Sequence, residues 1–471
     1  MRTLLINPPT PQFIVNKEYY IPSSLLYLAA ALQKAGKNVK ILDLNTYEAE
    51  YSDTSRAFFE KIMISYIHDY QPSLIGIGCL FCGQFPAVLS FSKKIKEESK
   101  EIKIAIGGIH PTTYPTEILA NCPSIDFVAL GEGEITMVEL VDSLESGRED
   151  FNKIDGIAYR SNGEIIVNQK ISFIENLDEL PFPAYDLINL EDYYHDTSHW
   201  HNPKNLPINA SIPIISSRSC PNRCNFCSMF MVMGPRWRYR SPENVVDEIE
   251  YLYNKYNHQH FSFMDDNITL NKARTLEMCN QIVKRRLNIQ FEIPNGLSIR
   301  TLDKDVLDAL ISAGLVRVAL GIESGSDYIR NEIIGKRLSR EKIFEVVRLT
   351  KEYKQLYVKA FFIIGMPEDT RETLMDTYNM IKEIDIDMPQ VFNLLPFPGT
   401  KVFEQALKDN LLIDIDNLWK KDVFYGSGNK QFFVKPYELE VEDLQEFRDK
   451  FDNLIATLMA RKREEKKRVR T

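Results

Sequence analysis

Short apolar runs alternate along most of the chain with longer stretches whose apolar positions recur every three or four residues. In the first third, Arg2–Asn7, Val39–Leu44, Leu74–Cys79, Lys103–Gly107 and Asp126–Leu130 read as strands. Pro22–Lys34, Ser52–Tyr70, Pro86–Ser99 and Glu134–Ser146 read as the helices between them. Strands apolar on both faces, each followed by a helix, imply a parallel sheet covered on both sides. Such sheets take ligands at the carboxyl ends of their strands, where the strand order reverses. The alternation resumes at Ile212, with strands expected at Ile212–Ser216, His260–Met264, Gln290–Ile293, Val316–Gly321, Tyr357–Ile364 and Val391–Leu395. Helices are expected at Pro242–Tyr256, Lys272–Leu287, Asp303–Ala313, Arg340–Tyr353 and Thr370–Ile384. Six such units point to a full or partial α/β barrel with its chemistry at the carboxyl ends of the strands.

Between these halves the pattern breaks. Ser161-Asn162-Gly163 reads as the turn of a hairpin, and Leu180-Pro181-Phe182-Pro183 cannot lie inside a helix. The expected organisation is a domain over 1–150, a linker with a hairpin over 151–205, a barrel over 206–410 and a C-terminal segment over 411–471. That last segment is aromatic-rich (Trp419, Phe424, Tyr425, Phe432, Phe433) and ends in a basic run, Arg461–Arg470, which reads as a solvated helix end.

Composition narrows the class. With 471 residues, 44% of them hydrophobic and 26% charged, the chain has material for sizeable cores and is neither a disordered chain nor a disulfide miniprotein. A net charge of −9 disfavours nonspecific nucleic-acid binding. No apolar run approaches the ~18 residues of a membrane span, and the N-terminus reads as a strand without a cleavage site. A cytoplasmic protein is expected. Seven cysteines, an odd number, argue against a disulfide framework.

Three of those cysteines dominate the chemistry. Cys220-Pro-Asn-Arg-Cys224-Asn-Phe-Cys227 follows a strand directly, so its thiols share one loop at the carboxyl end of the barrel. A structural zinc site normally takes four ligands, and no fourth Cys or suitably spaced His follows nearby. A redox disulfide would leave one thiol over. A 4Fe–4S cluster on three cysteines would leave one iron open.

This Cys-x3-Cys-x2-Cys loop, with Phe226 before its last cysteine, resembles the signature of the radical SAM family. Further segments at strand ends are similar to that family's motifs: Asp265-Asp266-Asn267, Asn295 with Arg300, Gly321-Ile322-Glu323-Ser324-Gly325, Gly365-Met366-Pro367-Glu368 and Pro396-Phe397-Pro398-Gly399-Thr400. The resemblance implies Cys220, Cys224 and Cys227 as cluster ligands. It implies Phe226, Asp265, Asp266, Asn295, Arg300, Glu323, Ser324 and Gly365 around S-adenosylmethionine (SAM).

The N-terminal third extends the likeness. Pro8 in Asn7-Pro8-Pro9, Cys79 and Leu80, the run Gly107-Gly108-Ile109-His110-Pro111-Thr112, and Gly131-Glu132-Gly133 resemble the cobalamin-binding domain of one radical SAM branch. So do the Pro/Phe linker and Arg236–Val245. That branch contains the class B methyltransferases and the anaerobic Mg-protoporphyrin ester cyclase. The implied fold is α/β: a flavodoxin-like cobalamin-binding domain, a partial (β/α)6 barrel, then a small α-rich segment. His110 lacks the Asp-x-His-x-x-Gly context of a cobalt ligand, so cobalamin is expected base-off without a His ligand. Cys79 reads as a small buried hydrophobe, and Cys79-Leu80-Phe81-Cys82 as a loop lining the crevice.

The resemblance implies a mechanism too. SAM is cleaved reductively to a 5′-deoxyadenosyl radical, which takes hydrogen from an unactivated carbon, and methylcobalamin then supplies a methyl group. A flavodoxin- or ferredoxin-type donor and a small-molecule or peptide substrate are the implied partners. The alternative within the branch is ring formation, rearrangement or oxidation with cobalamin non-methylating or absent. A tRNA methylthiotransferase is disfavoured because the N-terminal cysteines expected of one are missing, and a non-catalytic sensor would show a degraded SAM site. No substrate acid or base can be named.

Overall fold

The computed structural model describes residues 1–9, 20–47, 51–80, 82–148, 150–413 and 431–470, the side chains of Cys82 and of 463–470 excepted. It forms two compact units, the first built on Met1–His195 together with Met231–Gly234, the second on the other described residues.

The first unit is a seven-stranded sheet. Its strands are β1 (Arg2–Asn7), β2 (Asn38–Asp43), β3 (Leu74–Gly78), β4 (Lys103–Gly107), β5 (Phe127–Ala129), β6 (Ile157–Ser161) and β7 (Glu164–Asn168). They lie in the order β2-β1-β3-β4-β5-β6-β7, and the first five are parallel. Leu4, Ile6, Ile75, Ile77, Ile104 and Ile106 meet Phe59, Met63, Phe85 and Phe91 in a closed core. Because β1 is flanked by β2 on one side and β3 on the other, the order reverses there, at the carboxyl ends of β1 and β3, the place where such sheets take ligands.

Two features differ from the expectation. The β6–β7 hairpin, placed in a linker by the sequence, pairs antiparallel with β5 and completes this sheet. Two short helices, Ile109–Thr113 and Pro115–Asn121, occupy a stretch where prolines and threonines hide any helical periodicity.

The second unit is an open arc of six parallel strands. In chain order it comprises β8 (Ile212–Ile214), the short pair β9 (Ser217–Arg218) and β10 (Arg238–Tyr239), then β11 (His260–Phe263), β12 (Gln290–Leu297), β13 (Leu315–Glu323), β14 (Tyr357–Ile364) and β15 (Met388–Asn393). The arc runs β8-β11-β12-β13-β14-β15, so β8 and β15 are its edges and the barrel is partial. Along β14 and β15 every second residue is fully buried beneath the helices; Arg448 of the helix Val441–Arg470 donates to Val391 O on that side. Lys359, Phe361, Ile363, Gln390 and Phe392 occupy the opposite, concave face and stay half-exposed. A closed barrel packs that interior solid; this one does not.

The amino-terminal end of the arc is closed by polar side chains. Ser262 Oγ lies 2.7 Å from Ser211 Oγ and donates to Glu292 at 2.6 Å, and Glu292 pairs with Arg317. His260 lies 3.3 Å from Gln290 Nε2 and packs against Trp200, with ring centroids 5.2 Å apart. Burial pulls the imidazole pKa values down, to about 4 for His258 and about 3 for His260. Among the described residues no helix is long and apolar enough to cross a membrane.

Candidate metal centre and cofactor sites

The strand read from the sequence as Ile212–Ser216 stops at Ile214. Three residues later the chain enters β9, which pairs antiparallel with β10 in the register Ser217↔Tyr239 and Arg218↔Arg238. This ribbon closes the base of a loop over 219–237 that holds all three clustered cysteines. Ser219 and Arg223 adopt left-handed backbone, with φ of 69° and 53°, and give the loop its turns. Arg223 donates to Pro235 O at 2.9 Å and its guanidinium lies 4.7 Å from the Phe230 ring centroid, tying the loop across itself.

Asp265 anchors the ribbon from below. Its carboxylate, 1% exposed, accepts Ser216 N (3.1 Å), Ser216 Oγ (2.7 Å) and Ser217 Oγ. Arg274 donates to Ser216 O and Arg240 O, and Arg240 forms a buried ion pair with Glu248. Ser241 caps the helix Pro242–Tyr256. Asp265 was expected at SAM; its oxygens instead bind the ribbon. The neighbouring Asp266 is half-exposed, and burial beside Asp265 pushes its pKa up to about 6.

The cysteines sit in a desolvated bed. Burial pushes the Cys220 thiol up, Cys224 to about 11 and Cys227 to about 12. Cys224 belongs to a core with Ile329, Ile334, Met366 and Leu394, and Phe226 and Cys227 pack on its edge. Asn267 donates to Cys220 Sγ at 3.9 Å. Among the described residues no three His, Cys, Asp or Glu side chains converge as they would about a single ion. A multi-iron cluster places each thiolate on a different iron and needs them further apart. The donor set, three thiols on one preformed loop, fits such a group.

The end of β13 faces this loop. Glu323 adopts a left-handed backbone (φ 71°) and its Oε1 accepts Lys336 Nζ at 2.5 Å. A Cβ on Gly321 would stand 2.8 Å from both Glu323 Oε1 and Lys336 Nζ, so glycine makes room for the pair. Lys336 follows the π-helical turn Tyr328–Ile333, which is tied to the cysteine loop where Asn225 N donates to Ile334 O at 3.1 Å. Burial works against the lysine charge, yet Glu323 and then Cys224 hold its pKa above the ordinary value.

Ser324, also expected at SAM, turns the other way. It is 1% exposed, 3.3 Å from Thr377 Oγ1, and accepts Ser326 N. The fully buried Arg330 donates to Ser324 O and Leu338 O and fixes this turn. Asn295 is exposed and donates to Met264 O at 2.9 Å. Arg300 reaches Asn222 of the cysteine loop at 3.5 Å. Gly365, with φ of 91°, begins a turn held by Asp369, whose Oδ2 accepts both Gly365 N and Met366 N at 2.9 Å. Burial pushes the Asp369 carboxyl up to about 6. Sequence reasoning missed Asp369 and Lys336. An acidic residue just before a helix start is a signal for the first; the lysine has none.

In the first unit the expected residues do gather at strand ends. Pro8 follows β1, Cys79 and Leu80 follow β3, Gly107 closes β4, and Gly131-Glu132-Gly133 come just after β5. Gly108 has φ of 129°, and a Cβ there would collide with Cys79 O. Only glycine permits this close approach of the loop after β4 to the backbone of the loop after β3. Thr112 Oγ1 donates to Gly108 O (2.7 Å) and accepts Gly131 N (3.1 Å), joining two of the loops. Leu80 is 53% exposed at the rim. His110 is buried between the rings of Phe85 and Tyr114, Pro111 is buried, and Glu132 accepts Ile174 N at 3.1 Å. Phe81 and the Cys82 side chain lie outside the described residues.

The family model described as the radical SAM superfamily matches residues 214–381, and that of the B12 binding domain matches 13–141. The chain belongs to the branch of the radical SAM superfamily that carries a B12-binding domain. An uncharacterized methyltransferase of Pyrococcus horikoshii is 33% identical over 89% of this chain and 86% of its own length. The cytidylyl-2-hydroxyethylphosphonate methyltransferase of Streptomyces wedmorensis is 26% identical over 89% and 84%. The anaerobic magnesium-protoporphyrin IX monomethyl ester cyclase of Rubrivivax gelatinosus is 28% identical over 82% and 66%. In fold, the chain resembles the radical SAM methyltransferase TsrM from Kitasatospora setae, solved with cobalamin and a [4Fe-4S] cluster (TM-score 0.68, 20% identity, 87% and 75% coverage). It also resembles the cobalamin-dependent enzyme OxsB (TM-score 0.73, 17% identity, 94% and 65% coverage).

Proposed function

We propose that this radical SAM enzyme transfers a methyl group to an unactivated carbon of a small molecule or peptide. The observation that carries the reading is the ribbon-closed loop of Cys220, Cys224 and Cys227 at the carboxyl end of an arc whose concave face is left open. Bound there, a 4Fe–4S cluster would supply the electron that cleaves SAM, and base-off cobalamin on the first unit a methyl group.

The chain's own residues then hold and orient. The three cysteines would ligate iron, and the apolar bed of Ile329, Ile334 and Met366 keeps water from the loop. Asp266, Glu323 and Arg300 present charge for the amino and carboxylate groups of SAM. The turn at Gly365 offers backbone to its adenine, with Phe226 and Asn295 alongside. Phe361, Ile363 and Phe392 supply an apolar wall for the substrate, with Lys359 and Gln390 as its polar part. In the first unit, the backbone of Pro8, Cys79, Leu80, Gly107–Gly108 and Gly131–Gly133 would cradle cobalamin. Electrons would come from a flavodoxin- or ferredoxin-type donor. Ring formation is the second reading, favoured by the cyclase relative matching 82% of the chain.

Metal analysis of anaerobically reconstituted protein tests the proposal, with Cys220→Ala/Cys224→Ala/Cys227→Ala alongside. About four irons and one cobalt are expected for the wild type, with iron lost and cobalt kept in the variant. Iron without cobalt sinks methyl transfer, and cysteine-independent iron sinks the reading as a whole.

A further inference from the structure

Lys336 lies outside every motif that the sequence offers, yet it ends up against the cysteine loop. Three contacts put it there. The turn before it accepts Asn225 N through Ile334 O. Cys224 packs on Ile329 and Ile334 of the same segment. Its own amide donates to Arg330 O at 3.0 Å, which fixes the residue to a fully buried arginine. The side chain is only 14% exposed and points its ammonium at Glu323 Oε1. From there it reaches Cys224 and Cys220 electrostatically.

A lone carboxylate would satisfy a buried lysine equally well at many places. Here Gly321 leaves room for the pair, and Glu323 takes a left-handed backbone to meet the ammonium. A cation in a desolvated bed acts over a longer reach than one in water. Its field favours whichever state of a neighbouring group carries more negative charge, and for an iron–sulfur cluster that is the reduced state.

We propose that Lys336 is a positioning residue that sets the reduction potential of the cluster on the cysteine loop, raising it into reach of the donor, while Glu323 offsets part of that effect. The inference rests on the cysteine loop carrying a cluster. Protein charge near a cluster is one of the few means a chain has of moving its potential, beside hydrogen bonds to sulfur and solvent exposure.

The test is an anaerobic, EPR-monitored redox titration of reconstituted protein without SAM, on the wild type, Lys336→Met, Lys336→Arg and Glu323→Gln, each with its iron content. Lys336→Met is expected to shift the midpoint potential downward and Glu323→Gln upward, with Lys336→Arg close to wild type. A structural defect alone would not give shifts of opposite sign. Lys336→Met at the wild-type potential with four irons bound overturns the inference. Should Lys336→Met take up no iron, Glu323→Gln decides: a potential unmoved or lowered overturns it. Wild-type protein without cysteine-dependent iron overturns the cluster reading instead, so the two failures are told apart.

Discussion

Two adjacent aspartates illustrate how little residue type says about role. Asp265 and Asp266 share a motif, but Asp265 faces the ribbon and Asp266 is half-exposed. Replacing Asp265 with alanine strands Ser216 N–H and two hydroxyls in a buried site, where each unsatisfied group costs about 1–3 kcal/mol. Asp265→Ala should therefore lower the melting temperature of the metal-free protein, whereas Asp266→Asn, which removes a charge that burial disfavours, should not lower it and should weaken SAM binding to the reconstituted enzyme. Differential scanning calorimetry and equilibrium dialysis measure the two effects. Equal melting temperatures for the two variants would refute the division of labour.

At the scale of elements, the histidines at the closed end of the arc make a pH signature. His258 and His260 are held neutral, with pKa values near 4 and 3, against about 6.5 in an unfolded chain. Burial is the main cause for both, and Arg317 adds to it at His260. Their contribution to stability is complete above pH 6.5 and falls away as the pH drops toward 4, by about 1.4 kcal/mol per pH unit per histidine. Asp266 and Asp369 act with the opposite sign. Raised to about 6, they favour the folded state as the pH falls through that value. The comparison is therefore between wild type and His258→Gln/His260→Gln in urea unfolding at pH 7.5 and 5. The wild type should lose more stability than the variant over that interval; parallel losses refute the assignment.

The same scale shows what was legible in the chain. β1, β4 and β14 fall on the ranges that apolar patterning gives, because β1 and β4 are continuous apolar runs buried on both faces and β14 is a long β-branched and aromatic run that buries every second residue. β9 and β10, two residues each, are too short to have a period, although they close the cysteine loop. The cysteine spacing was readable because one loop supplies all three thiols. Lys336 was not, since a lysine in a Gly-Lys-Arg turn looks like any surface residue until β13 brings Glu323 to it. The bonding of Asp265 to the ribbon and of Ser324 to its own turn was illegible for a related reason: a motif marks a place in the fold, while packing decides which way each side chain turns. Of the C-terminal aromatics, Phe432 and Phe433 are core residues, and Trp419, Phe424 and Tyr425 lie outside the described residues.

Taken whole, the molecule brings the loops after four parallel strands, β1, β3, β4 and β5, to one edge of the first unit's sheet, where the proposed cobalamin site lies. Hydrogen exchange with and without hydroxocobalamin should show added protection at 79–80, 107–112 and 131–133. Protection confined to other segments would move the cobalamin site. The ribbon under the cysteine loop carries a different consequence. Its hydrogen bonds, and those of Asp265 and Arg274 beneath it, owe nothing to metal, so the cradle is shaped while the chain folds. Were a cluster bound there and lost to oxygen, the mould would stay. Damage to such a loop would be a matter of refilling, not of making the chain again.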